Sequence, residues 1–411
     1  MHDELIGFDQ FGTNTQIQEL SVQGCSVPVY INEFWTSKQR AANSLHEVSY
    51  RACFKPQLPR FFIERLSRLG DVVYDPFMGR GTTLLEAALH GRLPMGCDIN
   101  PLSRILIEPR FTLPSLHEVE ARLVEIDIEV CDALEPNPLL AFYHPQTLGK
   151  ISALRAYFIQ REKSNALDSV DRWIRMVATS RLTGHSPGFF SVYTMPPNQA
   201  VTAERQLIIN AKRKQKPPIR DVKAIILKKS RALLKNIDSE AIELLSGVGD
   251  RAVLLTGSCA QTSSIKRESV HLVVTLPPFL DVVDYRADNW LWCWFNDLDS
   301  KSIPIWQLKL PEDWIAAMSR VFVELERILV LGGHLAFEVG EVRGGGVLME
   351  HLVLEAAKLS SLKFEFMLIN DQSFTKTANC WGVSNSKKGT NTNRIVVFRK
   401  QGNETARMVH S

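Results

Sequence analysis

DVVYDPFMGRGTT, residues 71 to 83, decides the fold. A short β-branched and aromatic run, Val72 to Tyr74, is ended by Asp75-Pro76, as a strand leaving a sheet is. Gly79 and Gly81 then let the backbone turn tightly and approach a ligand, and Thr82 or Thr83 is predicted to cap the helix TTLLEAALH. Gly91 closes that helix as its C′ residue. A lone G-x-G pair is equally compatible with an ordinary strand-to-helix turn. Phosphate binding is disfavoured, because Leu84 stands where a dinucleotide fingerprint needs its third glycine and no lysine follows as in a P-loop.

Outward from this unit, a second strand is predicted at LPMGCDI (93 to 99), and Ser115 with Glu118 forms a capping box that opens a helix. From about 120 to 247 the alternation of strands stops and helical patterns dominate, with a loop, GHSPGFFSVYTMPPNQA, at 184 to 200. Strands resume at AVLLTGS and HLVVTLPP. After them comes an amphipathic helix, EDWIAAMSRVFVELERIL, ended by Gly332-Gly333. A strand HLAFEVGE, a helix around LMEHLVLEAAKL, and strands KFEFMLIN and RIVVFRK complete the chain. Seven strands with crossing helices predict an α/β, Rossmann-like, largely parallel sheet interrupted by a helical insertion. The expected division is residues 1–110 and 248–411 as one discontinuous domain, with 111–247 inserted.

Bulk properties narrow the class. A chain of 411 residues, 45% hydrophobic, is neither disordered nor a single small core. Its apolar runs are broken by charges well short of the roughly 18 to 20 residues that cross a bilayer, and MHDELIGFDQ has no signal-peptide core, so a cytoplasmic protein with no membrane partner is expected. The seven cysteines are scattered without a C-x-x-C pair, which signals neither disulfides nor a metal site. Net charge is only +3, yet ten basic residues fall between 212 and 235, including Lys212, Arg213, Lys214, Lys216 and Arg220, with Asp221 the only acid among them. Such a cluster suits phosphates, although a lysine-rich helix is more often a solvated face.

In open α/β sheets ligands collect at the carboxyl ends of the strands. Asp98, ending the second strand, is placed to accept hydrogen bonds from a ribose diol. With Asp75, Pro76, Phe77 and the two glycines it outlines a pocket for a nucleoside without phosphate. S-adenosylmethionine is such a ligand, its ribose at Asp98, its amino-acid end near Asp75 and the glycine turn, and its adenine near Ser258. At the fourth strand's end, Thr275-Leu276-Pro277-Pro278-Phe279 is a rigid loop that offers a backbone carbonyl and a stacking face. These suit a flipped base whose exocyclic amine is held by acceptors that pull its lone pair out of the ring.

On these residues the chain resembles the amino-group (N4-cytosine/N6-adenine) DNA methyltransferases, closest to the cytosine-N4 type. DPFMGRGTT is similar to that family's motif I, and TLPPF followed by Asp284-Tyr285 is similar to its motif IV. HEVSYRACFKPQLPRFFI (46 to 63) is similar to motif X, from which Phe54, Lys55 and Pro56 are carried over as cofactor residues. The resemblance implies methyl transfer from S-adenosylmethionine to a base in double-stranded DNA, and a cognate restriction endonuclease as a separate partner. It places Thr275, Leu276, Pro277, Pro278, Phe279 and Tyr285 at the base. It also makes the insertion the sequence reader, its basic stretch gripping phosphates and its loop, with Phe189, Phe190, Tyr193 and Asn198, approaching bases. No Pro-Cys pair exists, so a carbon-5 mechanism is excluded. One residue departs from the pattern, since Leu276 replaces the Asp, Asn or Ser whose oxygen accepts the target amine. Activity is therefore expected to be reduced or lost. The alternatives are an adenine-N6 DNA methyltransferase, an RNA guanine-N2 methyltransferase or an inactive DNA-binding homologue.

Overall fold

The computed structural model describes residues 1–22, 25–36, 42–50, 53–128, 137–194, 201–278, 280, 285–340, 348–371 and 392–402. The described strands form one sheet: β1 (Gln16–Val22), β2 (Cys25–Asn32), β3 (Val72–Asp75), β4 (Leu93–Asp98), β5 (Val253–Thr256), β6 (Val270–Thr275), β7 (Leu329–Val339), β8 (Lys363–Asp371) and β9 (Thr392–Arg399). Their order across the sheet is β1-β2-β8-β9-β7-β6-β3-β4-β5. Around it lie α1 (His2–Ile6), α2 (Gln57–Leu66), α3 (Thr82–Leu89), α4 (Leu102–Ile107), α5 (Leu116–Glu125), α6 (Pro145–Lys163) and α7 (Ser169–Arg181). They are followed by α8 (Ala203–Arg213), α9 (Val222–Leu233), α10 (Ser239–Gly249), α11 (Tyr285–Phe295), α12 (Pro311–Ile328) and α13 (Met349–Ala357).

The seven expected strands are β3 to β9, and the fold is α/β and Rossmann-like. β3 to β7 run parallel, and β9 inserts antiparallel between β7 and β8. The sheet also gains a hairpin, β1 and β2, which extends it at the β8 edge. Pro28 lies inside β2, opposite Glu19 of the outermost strand β1 and one residue before Val29, where the pairing with β8 begins; a proline within a run argues against a central strand, and Pro28 is not among the residues paired with β8. Side-chain amides fix the hairpin: Asn32 donates to the Phe8 carbonyl at 2.9 Å, and Asn370 of β8 accepts from the backbone of Phe34 at 2.6 Å.

Two predicted helix ends differ. Thr82 and Thr83 do not cap α3; Gly81 is its N-cap residue, in a left-handed conformation at φ 74°. Gly332 and Gly333 lie within β7, beyond the end of α12 at Ile328, beside a register shift against β6. The Ser115–Glu118 capping box and the left-handed Gly91 after α3 are both present as expected.

Burial on the two sheet faces explains the layering. α12 and α13 cover one face, with Trp314, Phe322 and Leu325 packed against Phe337 and Phe398. α2 covers the other, its Phe61, Phe62 and Ile63 packed against Val73, Leu272, Val274 and Ala336. A third core joins Leu84 and Leu85 of α3 and Leu106 of α4 to Trp173, Ile174 and Val177 of α7 and to Trp292 and Phe295 of α11. Residues 111–247 thus share their core with helices of the sheet domain. Buried Asp171 clamps the insertion internally, accepting from Arg122 and Arg161.

Trp173 sits at the centre of that shared core, fully buried, its indole donating to Ser230 at 3.0 Å. Trp173→Ala is expected to cost about 3–5 kcal/mol and to lower one cooperative transition in a denaturant melt. Two separate transitions, with the sheet domain's unmoved, would show that the insertion folds by itself.

Candidate active site at the switch point of the sheet

Chain order reverses between β3 and β6, which pair in parallel through Val73–Leu272 and Tyr74–Val273. A doubly wound sheet opens its ligand crevice at the carboxyl ends of such a pair. The two marked turns of the sequence meet there. Thr275 donates its hydroxyl to Asp75 Oδ1 at 2.6 Å, and Thr83 donates to the Val274 carbonyl at 3.0 Å. Asp75 Oδ1 also accepts the Phe77 N–H at 3.0 Å, which folds the chain over the carboxylate as it leaves β3.

The glycine turn is built on Asp98. Asp98 Oδ2 accepts the Gly79 N–H at 2.8 Å and Oδ1 accepts the Asn100 N–H at 2.8 Å. Each carboxylate oxygen can accept twice, so the pair keeps capacity for a diol. Gly79 (φ 48°) and Gly81 (φ 74°) both have the left-handed backbone. At Gly81 a Cβ would also lie 2.5 Å from the Ile107 side chain, so no larger residue fits the unchanged turn.

Arg80, between those glycines, was not singled out in the sequence. It is buried and turns inward, donating Nη1 to the carbonyls of His46 (3.0 Å) and Val48 (2.8 Å) and Nε to Thr82 (3.1 Å). Arg110, fully buried, donates in turn to the Arg80 carbonyl and at 3.3 Å to that of Leu45. The segment before Phe54 is thereby tied to the glycine turn. Phe54 is buried in the apolar cluster under α2, and burial lowers the pKa of half-buried Lys55. An arginine in a glycine turn was the available signal; only the fold reveals that its charge is spent on backbone.

Other sequence candidates fall at the strand ends with differing exposure. Ser258, past the end of β5, is exposed. Thr275 is fully buried and its hydroxyl is engaged by Asp75, so it positions the loop and does not itself reach a base. Asp75, 2% exposed, likewise lies beneath the turn and organises it, its Oδ1 accepting from both Thr275 and Phe77. Leu276 packs on the apolar face covered by α2 and brings no acceptor. Pro277 is buried, and the Pro278 carbonyl accepts the indole of Trp314 at 3.0 Å, a second restraint that the sequence did not suggest. Phe279, and the side chain of Tyr285, lie outside the described residues.

In the insertion, Lys212, Arg213, Lys214 and Lys216 are placed around the end of α8, all four exposed, and Arg220 is half-buried. Arg213 lies over the ring of Tyr193, 3.7 Å from its centroid. Phe189 and Phe190 are buried, so these two pack their own loop and do not form a base-reading surface; Asn198 lies outside the described residues. On α9, Lys229 turns inward to Glu47 at 3.3 Å, and Ser44 donates to the carbonyls of Leu233 and Lys235, each at 2.7 Å.

The arrangement suits a nucleoside without phosphate, because the guanidinium in the glycine turn is withdrawn from the ligand side. S-adenosylmethionine fits these residues, with the Gly79–Gly81 backbone, Asp98, Ser258 and the Phe54–Lys55 segment available to hold it. Among the described residues, no group of three or more His, Cys, Asp or Glu side chains could hold a metal ion, and no helix is long and apolar enough to cross a membrane.

Residues 13–105, which include the glycine turn and Asp98, match the profile of the N6_N4_Mtase family, described as DNA methylase. That stretch of the chain is therefore similar to the amino-group methyltransferases. Type II methyltransferase M.MjaII of Methanocaldococcus jannaschii is 30% identical over 91 residues, covering 22% of this chain and 17% of that protein. Type II methyltransferase M.MvaI of Kocuria varians is 37% identical over 89 residues, 19% of this chain and 20% of its own length. A tRNA (guanine(10)-N2)-dimethyltransferase of Methanocaldococcus jannaschii is 31% identical over 117 residues, 24% of this chain and 32% of its own. The chain therefore spans well under half the length of each of these relatives.

Burial pushes the Asp75 carboxyl up to about 7, against the hydrogen bonds from Thr275 and Phe77 that favour its ionised form. Its unfolded counterpart titrates near 3.9, so between those values the folded chain binds more protons, and stability falls as pH rises through that window. Asp75→Asn keeps the acceptor oxygen without the charge. Its melting temperature is expected to gain on the parent's between pH 5 and pH 8; an unchanged difference would show that burial does not raise the Asp75 carboxyl into that window.

Proposed function

We propose that this chain transfers a methyl group from S-adenosylmethionine to the exocyclic N4 amine of cytosine in double-stranded DNA, at a specific site and on a flipped base. The observation that carries the reading is the bond from Thr275 to Asp75, which sets the Pro-Pro loop beside the glycine turn at the switch point. The cofactor supplies an electrophilic methyl on sulfur, held by the Gly79–Gly81 backbone, Asp98, Ser258, Phe54 and Lys55. The protein's own work is positioning. An aromatic amine is a poor nucleophile, and an oriented, water-free cleft whose carbonyls accept its hydrogens lowers the barrier mainly in the transition state. Pro277 and Pro278 fix such carbonyls without side-chain freedom.

The family description, DNA methylase, supports DNA as the substrate; a separate restriction endonuclease is the partner proposed with it. Residues 111–247 would read the sequence, with Lys212, Arg213, Lys214, Lys216 and Arg220 neutralising phosphates. The tRNA guanine-N2 relative makes structured RNA the second substrate to assay.

Incubation with unmethylated genomic DNA and labelled cofactor, followed by nucleoside mass spectrometry, is expected to yield N4-methylcytosine. N6-methyladenine alone would move the target to adenine, and methylated guanine in RNA alone would replace the DNA reading. Replacing Lys212, Arg213, Lys214 and Lys216 together by Gln is expected to weaken duplex binding. The slope of log affinity against log salt should flatten by about 0.9 for each phosphate that is no longer neutralised; an unchanged slope would make this cluster a solvated face.

A further inference from the structure

Glu338, a buried acid near the carboxyl end of β7, has no task in the arrangement above. It is 5% exposed between Phe337 and Val339. Thr275, the last residue of β6, pairs with Phe337 of β7, adjacent strands lying about 5 Å apart, so Leu276 leaves the sheet next to the position of Glu338. Alternation sets both on one face: Leu272, Val274 and Leu276 belong to the same apolar cluster as Ala336, two residues before Glu338. One carboxyl oxygen, Oε1, accepts Asn393 Nδ2 of β9 at 2.5 Å. The other, Oε2, is buried without a hydrogen-bond partner among the described residues.

We propose that Glu338 supplies the acceptor that Leu276 lacks, its free Oε2 taking a hydrogen bond from the exocyclic amine of the target base and receiving the proton that nitrogen sheds. The proposal rests on the methyltransferase reading. In the step, the amine lone pair forms the new bond to the methyl carbon and the sulfonium sulfur keeps the electron pair of the bond that breaks. The nitrogen then gives one proton to Oε2. Three features support the assignment: the neighbouring strand position, the shared face and the unsatisfied oxygen. Burial also pushes the Glu338 carboxyl up to about 7, opposed by the Asn393 hydrogen bond, which makes it a better proton acceptor at neutral pH than an ordinary carboxylate. Leu276 then forms the apolar wall beside that acceptor.

The test compares the parent, Glu338→Gln, Leu276→Asn and the double variant. A Gln side chain has the same shape; with its oxygen kept on Asn393 it offers the base a donor where Glu offers an acceptor. Methyl transfer to genomic DNA is expected to fall by at least about 100-fold in E338Q, the scale of removing one preorganised hydrogen-bonding group. Its S-adenosylmethionine affinity by calorimetry and its melting temperature should not fall, and L276N in the E338Q background should recover at least about tenfold of the rate, since one returned acceptor of roughly 1.4 kcal/mol is worth that factor.

Parental rates in E338Q would overturn the proposal. So would a drop in melting temperature and cofactor affinity parallel to the rate, without rescue by L276N, since that is the signature of a structural residue. A parent that binds the cofactor but methylates neither DNA nor RNA overturns it as well. A parent that does not bind the cofactor instead removes the methyltransferase reading beneath it.

Discussion

One hydrogen bond, from the Thr275 hydroxyl to the Asp75 carboxylate, joins segments 200 positions apart. It crosses between the strands where chain order reverses, and each partner begins a turn with chemistry of its own. Asp75 leads into Phe77 and the paired glycines; Thr275 leads into Leu276 and the paired prolines. Neither turn forms a cleft alone. The carboxylate is buried, and without partners its desolvation would be costly, so the pairing holds the two turns together and the surrounding strands exclude water from the join.

The remainder of the site is arranged around that join. Arg80 and Arg110 pull residues 45 to 48 onto the glycine turn through backbone carbonyls, so the Phe54–Lys55 segment enters at a fixed place. Trp314 of α12 holds Pro278 from the opposite face. α9 touches the same 44–47 segment through Ser44 and Lys229, and the insertion shares a core with α3 and α11. The insertion is therefore packed against the part of the chain that carries the glycine turn.

Much of this was legible in the sequence because it depends on local rules. Strands β3 and β5 to β9 were marked by β-branched or aromatic runs, β4 by its place after the Gly91 that closes α3, α5 by its capping box, and the crevice by glycines and prolines at strand ends. What was not legible depends on partners remote in sequence. β1 and β2 were hidden because an outermost strand such as β1 need not be apolar and Pro28 argues against a strand unless it is known to lie outside the pairing with β8. Gly332 looks the same whether it ends a helix or relieves a bulge. Arg80 and Thr275 have side chains whose targets, a carbonyl and a buried carboxylate, are defined only by the fold. Phe189 and Phe190 look like a recognition surface until their burial is seen. Glu338 was readable as an acid within an apolar strand, a discordance whose meaning appears only when β7 is seen beside β6.

The most direct measurement of the central claim is methyl transfer and cofactor affinity in Thr275→Val, which keeps the shape of the side chain and removes its donor. If the join aligns two turns that each fold correctly, S-adenosylmethionine should bind with nearly parental affinity. Transfer should slow by about tenfold or more, since a hydrogen bond to a charged group is worth roughly 1.5–3 kcal/mol. A variant that methylates at the parental rate would contradict the account, because the glycine and proline turns would then be held in register by something other than this bond.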